Sequence, residues 1–300
     1  MTIFKRQNKV TSASSRSVAG FPRSFYKAEG AFGGLCQNRI VVGHGKYIFE
    51  YNLKTNKWNR MEYEQRSPND RFDAQGCIMS NSLLLCGDWN RSNVELLTFK
   101  SFYPTSLSCI IGDKRHPTQK TTCIQTFCPT SLPLDIRYHT ITKIEENKVM
   151  LVGGVFNNVV SNRVFHGTIT KGNKDVSWEE VESLNTARFR HITFKMKTNV
   201  YVFGGLFIHN SNVTSCERYD LMKRTWKNCP HNLPYRLSYA SVIVSDDETF
   251  AVIIGGKKDN NASSQIIIFT EQDGFQLSNK FLLKNDRFHH IAIKLNLIEV

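Results

Sequence analysis

An all-β fold built from a repeated unit is what this 300-residue sequence predicts, and three observations carry the prediction. Gly-Gly pairs stand at Gly153 with Gly154, Gly204 with Gly205, and Gly255 with Gly256, spaced 51 and 51 residues apart. Each pair closes a run of strand-forming residues, at 149–152, 200–203 and 250–254. Each run follows a polar turn (145–148, 197–199, 245–248) and an earlier strand-sized segment (139–144, 191–196, 240–244), so every unit opens with a hairpin. A period near 50 residues with short strands and tight turns predicts the blades of a β-propeller.

The outer part of each unit repeats as well. Tyr219 and Asp220 lead a third strand, as residues 266–269 do one unit later, and Trp178 and Trp226 sit on fourth strands. Trp58 follows Tyr51 and Asn52 in the same manner. Leu184 with Arg188, and Leu233 with Arg236, then lead into the next unit. The N-terminal half is looser. Residues 40–45 and 83–88 read as second strands closed by single glycines, Gly43 and Gly87. Gly87 to Gly153 is 66 residues, which predicts an insertion of roughly 15 residues within 108–133.

In the unit from Arg188 to Arg236, the residues Arg188, His191, Gly204, Gly205, Tyr219, Asp220, Trp226 and Leu233 stand in the order of the kelch repeat. On these residues the chain resembles the kelch-repeat family over roughly residues 20–300. The unit from Arg137 keeps the double glycine and Trp178 but has Phe165-His166 where Tyr-Asp is expected. The unit from Tyr239 keeps the double glycine and Phe269 and lacks a Trp. The resemblance implies a kelch-type β-propeller over 21–300, of six blades, with a degenerate N-terminal half and a last blade that is incomplete or shared between the termini. Residues 1–20 then form a basic tail or a closing strand; the cations and serines of the first 28 residues, which hold no acid, also resemble a transit peptide.

Composition narrows the class. Twenty Phe, 10 Tyr and 4 Trp need burial, which excludes a disordered chain. No apolar run reaches 18 residues, so no membrane-spanning helix is expected. Eight cysteines without a CxxC argue against a zinc ribbon and against a disulfide scaffold. They read as buried or idle thiols. Residues 1–11 lack the apolar core of a signal peptide, so a cytoplasmic location is expected, with the nucleus as the alternative, and the sequons at Asn90, Asn212 and Asn261 are expected to stay unmodified. The net charge of +13 permits an acidic protein, nucleic acid or an anionic membrane surface as partner.

The chain carries no GxSxG, HExxH, Walker or GxGxxG motif, so no catalytic residues, cofactor or metal are expected. His139, His191 and His289 recur at one repeat position, which marks them as structural. Asp135 and His139 have part of the iron-binding spacing of plant specifier proteins, but Ser131 stands where Glu is needed. The family resemblance puts partners on the loops that join second to third strands and one blade to the next. Those loops hold Arg71, Trp89, Arg91, Arg137, Tyr138, Phe156, Asn157, Arg188, Arg190, Phe207, His209, Tyr235, Arg236 and Arg287. Arginines and aromatics in such a ring suit an acidic peptide. Alternatively, each arginine bonds locally between blades.

The expectation is a monomeric, non-catalytic protein-interaction module. The chain resembles the substrate-recognition half of BTB-kelch adaptors of ubiquitin ligases, though it has no room for a BTB domain. An actin or cytoskeletal scaffold is the alternative reading, and a metal-dependent kelch enzyme the third. Nucleic acid is disfavoured, since the chain has no basic run with interleaved aromatics beyond Lys114-Arg115-His116.

Overall fold

The computed structural model describes residues 2–5, 32–36, 39–44, 47–52, 57–63, 75–79, 82–88, 91–101, 121–127, 132–170, 175–208, 211, 213–288 and 292–295. Their regular elements are all strands. β1 is Thr2–Lys5. The first sheet holds β2 (Phe32–Cys36), β3 (Arg39–His44), β4 (Tyr47–Asn52) and β5 (Lys57–Arg60) in that order. After β6 (Glu62–Tyr63), the second sheet holds β7 (Gln75–Met79), β8 (Ser82–Asp88), β9 (Arg91–Ser101) and β10 (Thr121–Phe127), with β6 added on its outer edge. The third sheet holds β11 (Ile136–Arg137), β12 (Thr140–Glu145), β13 (Lys148–Phe156), β14 (Val159–Ile169) and β15 (Val176–Val181). The fourth holds β16 (Ile192–Met196), β17 (Asn199–Phe203), β18 (Cys216–Asp220) and β19 (Thr225–Asn228). The fifth holds β20 (Leu237–Ser238), β21 (Ser241–Val244), β22 (Phe250–Ile254), β23 (Lys257–Lys258), β24 (Asn261–Thr270) and β25 (Gly274–Arg287). Finally, β26 (Ala292–Leu295) pairs in parallel with β1.

The fold is all-β and has the construction of a β-propeller. The leading strands touch in sequence, β2 to β7, β7 to β12, β12 to β16, β16 to β21, β21 to β26, and β26 back to β2. A closed ring of inner strands results, with each sheet running outward from it. Alternation along each strand fills the space between sheets. Leu83, Leu85 and Leu97 face Val41 and Ile48 of the first sheet, while Leu84, Cys86 and Leu96 face Val149, Leu151 and Phe165 of the third. Met150 and Val152 turn the other way, onto Val200, Val202 and Trp226 of the fourth. Between the fourth and fifth sheets the filling is aromatic: Phe194, Tyr201, Phe203, Phe269 and Phe275 lie in one cluster.

The double glycines are forced by two close approaches. Gly153 and Gly204 have φ of 55° and 64°, and a Cβ there would meet the carbonyl oxygens of Arg188 and Leu237, in the next unit, at 2.5 and 2.3 Å. The second glycine of each pair presses on its own unit: a Cβ on Gly154 or Gly205 would lie 2.7 Å from the carbonyl of Arg137 or Phe189. A methyl group fits at neither position, and the left-handed φ disfavours one independently.

Two readings of the sequence change and one is narrowed. Gly167, not Phe165-His166, occupies the tyrosine position of the third sheet, because it pairs across the strands with Trp178 as Tyr219 pairs with Trp226. The indole covers the glycine so closely that a Cβ would stand 2.6 Å from it. In the fifth sheet Phe275 takes the place of the missing Trp, with its ring 4.8 Å from Phe269, where Tyr219–Trp226 is 5.0 Å and Tyr51–Trp58 is 5.1 Å. The segment 108–133 contains β10, the fourth strand of the second sheet, so it is not all insertion. The connection from β9 to β10 is 102–120, outside the described residues, as are most of residues 1–20 and 296–300.

Candidate partner-binding face

The connectors into the third, fourth and fifth sheets each make a short pairing with the extension of that sheet's second strand beyond the glycines. Ile136 and Arg137 pair with Phe156 and Val155, Phe189 bridges Leu206, and Leu237 and Ser238 pair with Lys258 and Lys257. This places the residues that follow, Tyr138, Arg190 and Tyr239, at one structural position, with φ of 56°, 54° and 56°. Non-glycine residues adopt this region only when their surroundings hold them there. Here the hold is a main-chain ladder between units. The Arg190 N–H donates to the Tyr138 carbonyl at 3.0 Å, and the Tyr239 N–H donates to the Arg190 carbonyl at 3.1 Å. Phe288 follows at the same 49-residue interval after Tyr239 that separates Tyr239 from Arg190.

The side chains at this position interleave. The Arg190 guanidinium lies 4.2 Å from the Tyr138 ring centroid and 4.5 Å from that of Tyr239. Lys257 Nζ lies 5.2 Å from the Tyr239 centroid and 4.3 Å from that of Phe288. Arg137 stands 5.7 Å from the Tyr138 centroid. Phe189 and Leu206, with Val155 beneath, floor the cluster. Arg190 Nε is buried and makes no hydrogen bond. Two aromatic faces hold this partly desolvated cation, each contact being worth about 0.5–2 kcal/mol. Two apolar residues of the neighbouring loops are exposed: Val159, next to the Val160 that packs on the cluster, is 67% exposed, and Ile208 51%.

The fourteen residues predicted for this face fall into six groups. Arg71, Trp89 and His209 lie outside the described residues. Arg91 and Arg287 begin β9 and end β25. Tyr138, Arg190 and Arg137 come together as described, Phe156, Phe207 and Tyr235 are half-buried around them, and Asn157 and Arg236 are exposed. Arg137 donates to Asn158 Oδ1 at 2.6 Å, and Lys258 lies 4.6 Å from the Tyr235 centroid. Burial raises the pKa of the Tyr235 hydroxyl.

Arg188 does not belong to the face. It is 0% exposed and donates to Glu217 Oε1 at 2.6 Å, to the Gly204 and Ser215 carbonyls at 3.1 and 3.0 Å, and to Ser215 Oγ at 3.0 Å. Glu217 in turn accepts the Asn185 and Thr186 N–H groups. Among the described residues the arginines form no ring, because their repeat positions differ. The carbonyls of Arg188 and Leu237 make equivalent bonds to Gly154 and Gly205, whereas Arg137 corresponds to Phe189 and Arg190 to Tyr138 and Tyr239.

Sequence reasoning left Phe189 and Tyr239 out of the binding loops. The signal was present in the intervals from 138 to 190, 239 and 288, which mark one repeat position whatever residue occupies it.

The other end of the ring holds a cavity of about 560 Å³, lined by Cys77, Thr142, Lys143, Thr193, Lys195 and Glu248 among others. Its lysines are paired, Lys143 with Glu146 at 3.2 Å and Lys195 with Glu248 at 3.4 Å. Burial pushes the Cys77 thiol up to about 11. Asp135 is exposed while His139 is 1% exposed, so the two do not share a site. Among the described residues no group of three or more His, Cys, Asp or Glu side chains is arranged to hold a metal ion, and no helix is long and apolar enough to cross a membrane.

No curated protein matches the chain. Residues 196–232, from the end of β16 through β19 and into the following connector, match the family described as Kelch motif, and this supports placing the repeats of the chain in a kelch-repeat family.

Proposed function

We propose that the chain is a non-catalytic, six-bladed interaction propeller whose loop face binds an acidic protein segment. The observation that carries this reading is the interleaving of Arg190 and Lys257 with Tyr138, Tyr239 and Phe288. Cations held on aromatic faces offer carboxylates charge in a partly desolvated setting, and the exposed Val159 and Ile208 offer an apolar side chain a place beside it. The kelch match supports a protein-binding role.

Fluorescence anisotropy with a panel of labelled Asp/Glu-rich peptides, each carrying one large apolar residue, tests the reading. Binding is expected to weaken by at least about tenfold in Arg190→Glu and in Lys257→Glu, and to fade with salt. Equal binding by both variants and the parent chain would remove the acidic-segment reading.

The bound protein is, in this reading, a substrate presented to a ubiquitin ligase in the cytoplasm, as the resemblance to BTB-kelch adaptors suggests. Actin is the alternative acidic partner, and co-sedimentation over a salt series separates the two.

Six sheets support the reading of six blades, the sixth being the two-stranded sheet of β1 with β26. The ring of inner-strand contacts through β26 supports this closure. Deleting residues 1–5 is then expected to lower the melting temperature of the whole propeller in one cooperative transition, because β26 loses the strand it pairs with and is held less firmly between β21 and β2. An unchanged melting curve would refute a sixth blade built on β1.

A further inference from the structure

Cys216 opens β18, and Cys229 directly follows β19. The β18–β19 register pairs Glu217 with Asn228, so one step further it sets the two cysteines opposite each other. Cys229 N–H donates to the Cys216 carbonyl at 2.8 Å, which confirms that the antiparallel pairing continues there. Residues paired in this way have Cα atoms about 5.5 Å apart, inside the range that a disulfide spans. Their sulfurs stand 2.7 Å apart, much closer than non-bonded sulfur atoms and not far from the bond length of about 2.05 Å.

We propose that Cys216 and Cys229 form a reversible cross-strand disulfide that locks the fourth sheet to the connector leading into the fifth. The proposal is independent of the partner reading above. The two thiols differ in access: Cys216 is 1% exposed, and Cys229 is half-buried at the start of the 230–236 connector. An oxidant of the disulfide class, such as oxidised glutathione, therefore meets Cys229 first. The Cys229 thiolate attacks one glutathione sulfur, the glutathione S–S bond breaks, and one reduced glutathione leaves with the proton. Cys216 Sγ then attacks Cys229 Sγ in the mixed disulfide, expels the second glutathione, and passes its proton to it. Two protein thiols are oxidised and one glutathione disulfide is reduced to two thiols. Burial raises the Cys216 pKa, so it is not the first point of attack; it resolves the mixed disulfide because the Cys229 sulfur is held against it, and it gives up its proton as it attacks.

The bond would sit among functional neighbours. Ser215 and Glu217, on either side of Cys216, hold Arg188, and the connector after Cys229 carries Tyr235 and Arg236 to the loop face. Closing it would restrain that connector at its base.

Peptide mapping tests the proposal on the full chain. The protein is equilibrated in oxidised and reduced glutathione, quenched in acid, unfolded, alkylated and digested with trypsin without reduction. Cleavage after Lys197, Arg218, Lys227 and Arg236 leaves the two cysteines on separate peptides, 198–218 and 228–236. The expected product is these two peptides joined and 2 Da lighter than their sum. The link is absent in Cys229→Ala, a change at a half-buried site that the fold should tolerate. The oxidised parent chain should also melt about 5 °C above its reduced form, a difference that Cys229→Ala abolishes. Quantitative alkylation of both cysteines under the oxidising buffer, or linkage of either mainly to another cysteine, would overturn the proposal.

Discussion

Replacing Arg188 with methionine is expected to destabilise the protein by about 3–5 kcal/mol and to lower its melting temperature by roughly 10 °C. The size comes from what is left behind. Arg188 and Glu217 both have 0% exposed side chains and meet at 2.6 Å. Burial pulls the Arg188 guanidinium below its ordinary pKa, and the Glu217 carboxylate opposes that pull. Without the cation, Glu217 keeps its hydrogen bonds from Asn185 and Thr186 but carries an uncompensated charge in the interior, and the carbonyls of Gly204 and Ser215 lose the guanidinium N–H that each accepts. The double variant Arg188→Met, Glu217→Gln should recover part of the loss, since the buried charge is gone and the glutamine oxygen can still accept. Urea or thermal unfolding of the three proteins measures this. A single variant within about 1 kcal/mol of the parent would mean that the pair does not brace the sheets. Arg137→Met, on the face, serves as the comparison and should change stability far less.

The second large effect is acid sensitivity from two buried histidines. His139 and His191 are wedged beside the double glycines. A Cβ on Gly154 or Gly205 would come within 3.0 or 2.7 Å of the Cβ of His139 or His191, and a Cβ on Gly153 within 2.9 Å of the His191 ring. Burial lowers the His139 pKa from 6.5 to about 4 and takes His191 well below its ordinary value, with the Arg188 charge adding to the depression. His191 Nε2 lies 2.9 Å from Thr140 Oγ1, a bond that suits a neutral ring. Below pH 6.5 the unfolded chain takes up these protons and the folded chain does not, so stability falls as pH drops from 6.5 toward 4. For His139 the loss is about 3 kcal/mol over that window, and below its folded pKa it levels off. His191 adds to it in the same direction. Melting temperatures of the parent chain and His139→Gln, taken between pH 7 and 4, should diverge: the variant starts lower and loses less. Parallel curves would show that His139 does not carry the effect.

The double glycines, the hairpins and the Trp positions were legible in the sequence because their causes are local. A left-handed φ and a strand-to-strand aromatic pair each restrict one position, and the restriction recurs every unit. Gly167 and Phe275 were missed for a related reason. Both serve the same aromatic pairing with different residues, so the position is visible only through the register. The face was legible in part. Tyr138, Arg190 and Arg137 were found as loop residues, but counting arginines put Arg188 among them. Arg188 lies two residues from Arg190, yet one turns to the mouth of the ring and the other inward to Glu217. That division depends on Glu217, 29 residues away, and on the φ of Arg190, neither of which a motif records.

The ladder from Tyr138 through Arg190 to Tyr239 is made by main-chain atoms, and it passes through Tyr, Arg and Tyr without a change of geometry. Tolerance of side-chain identity is thus built into the mouth of the ring. Substitutions there can rewrite what the surface recognises while the architecture beneath stays intact, which makes these few positions the natural place to retarget the molecule.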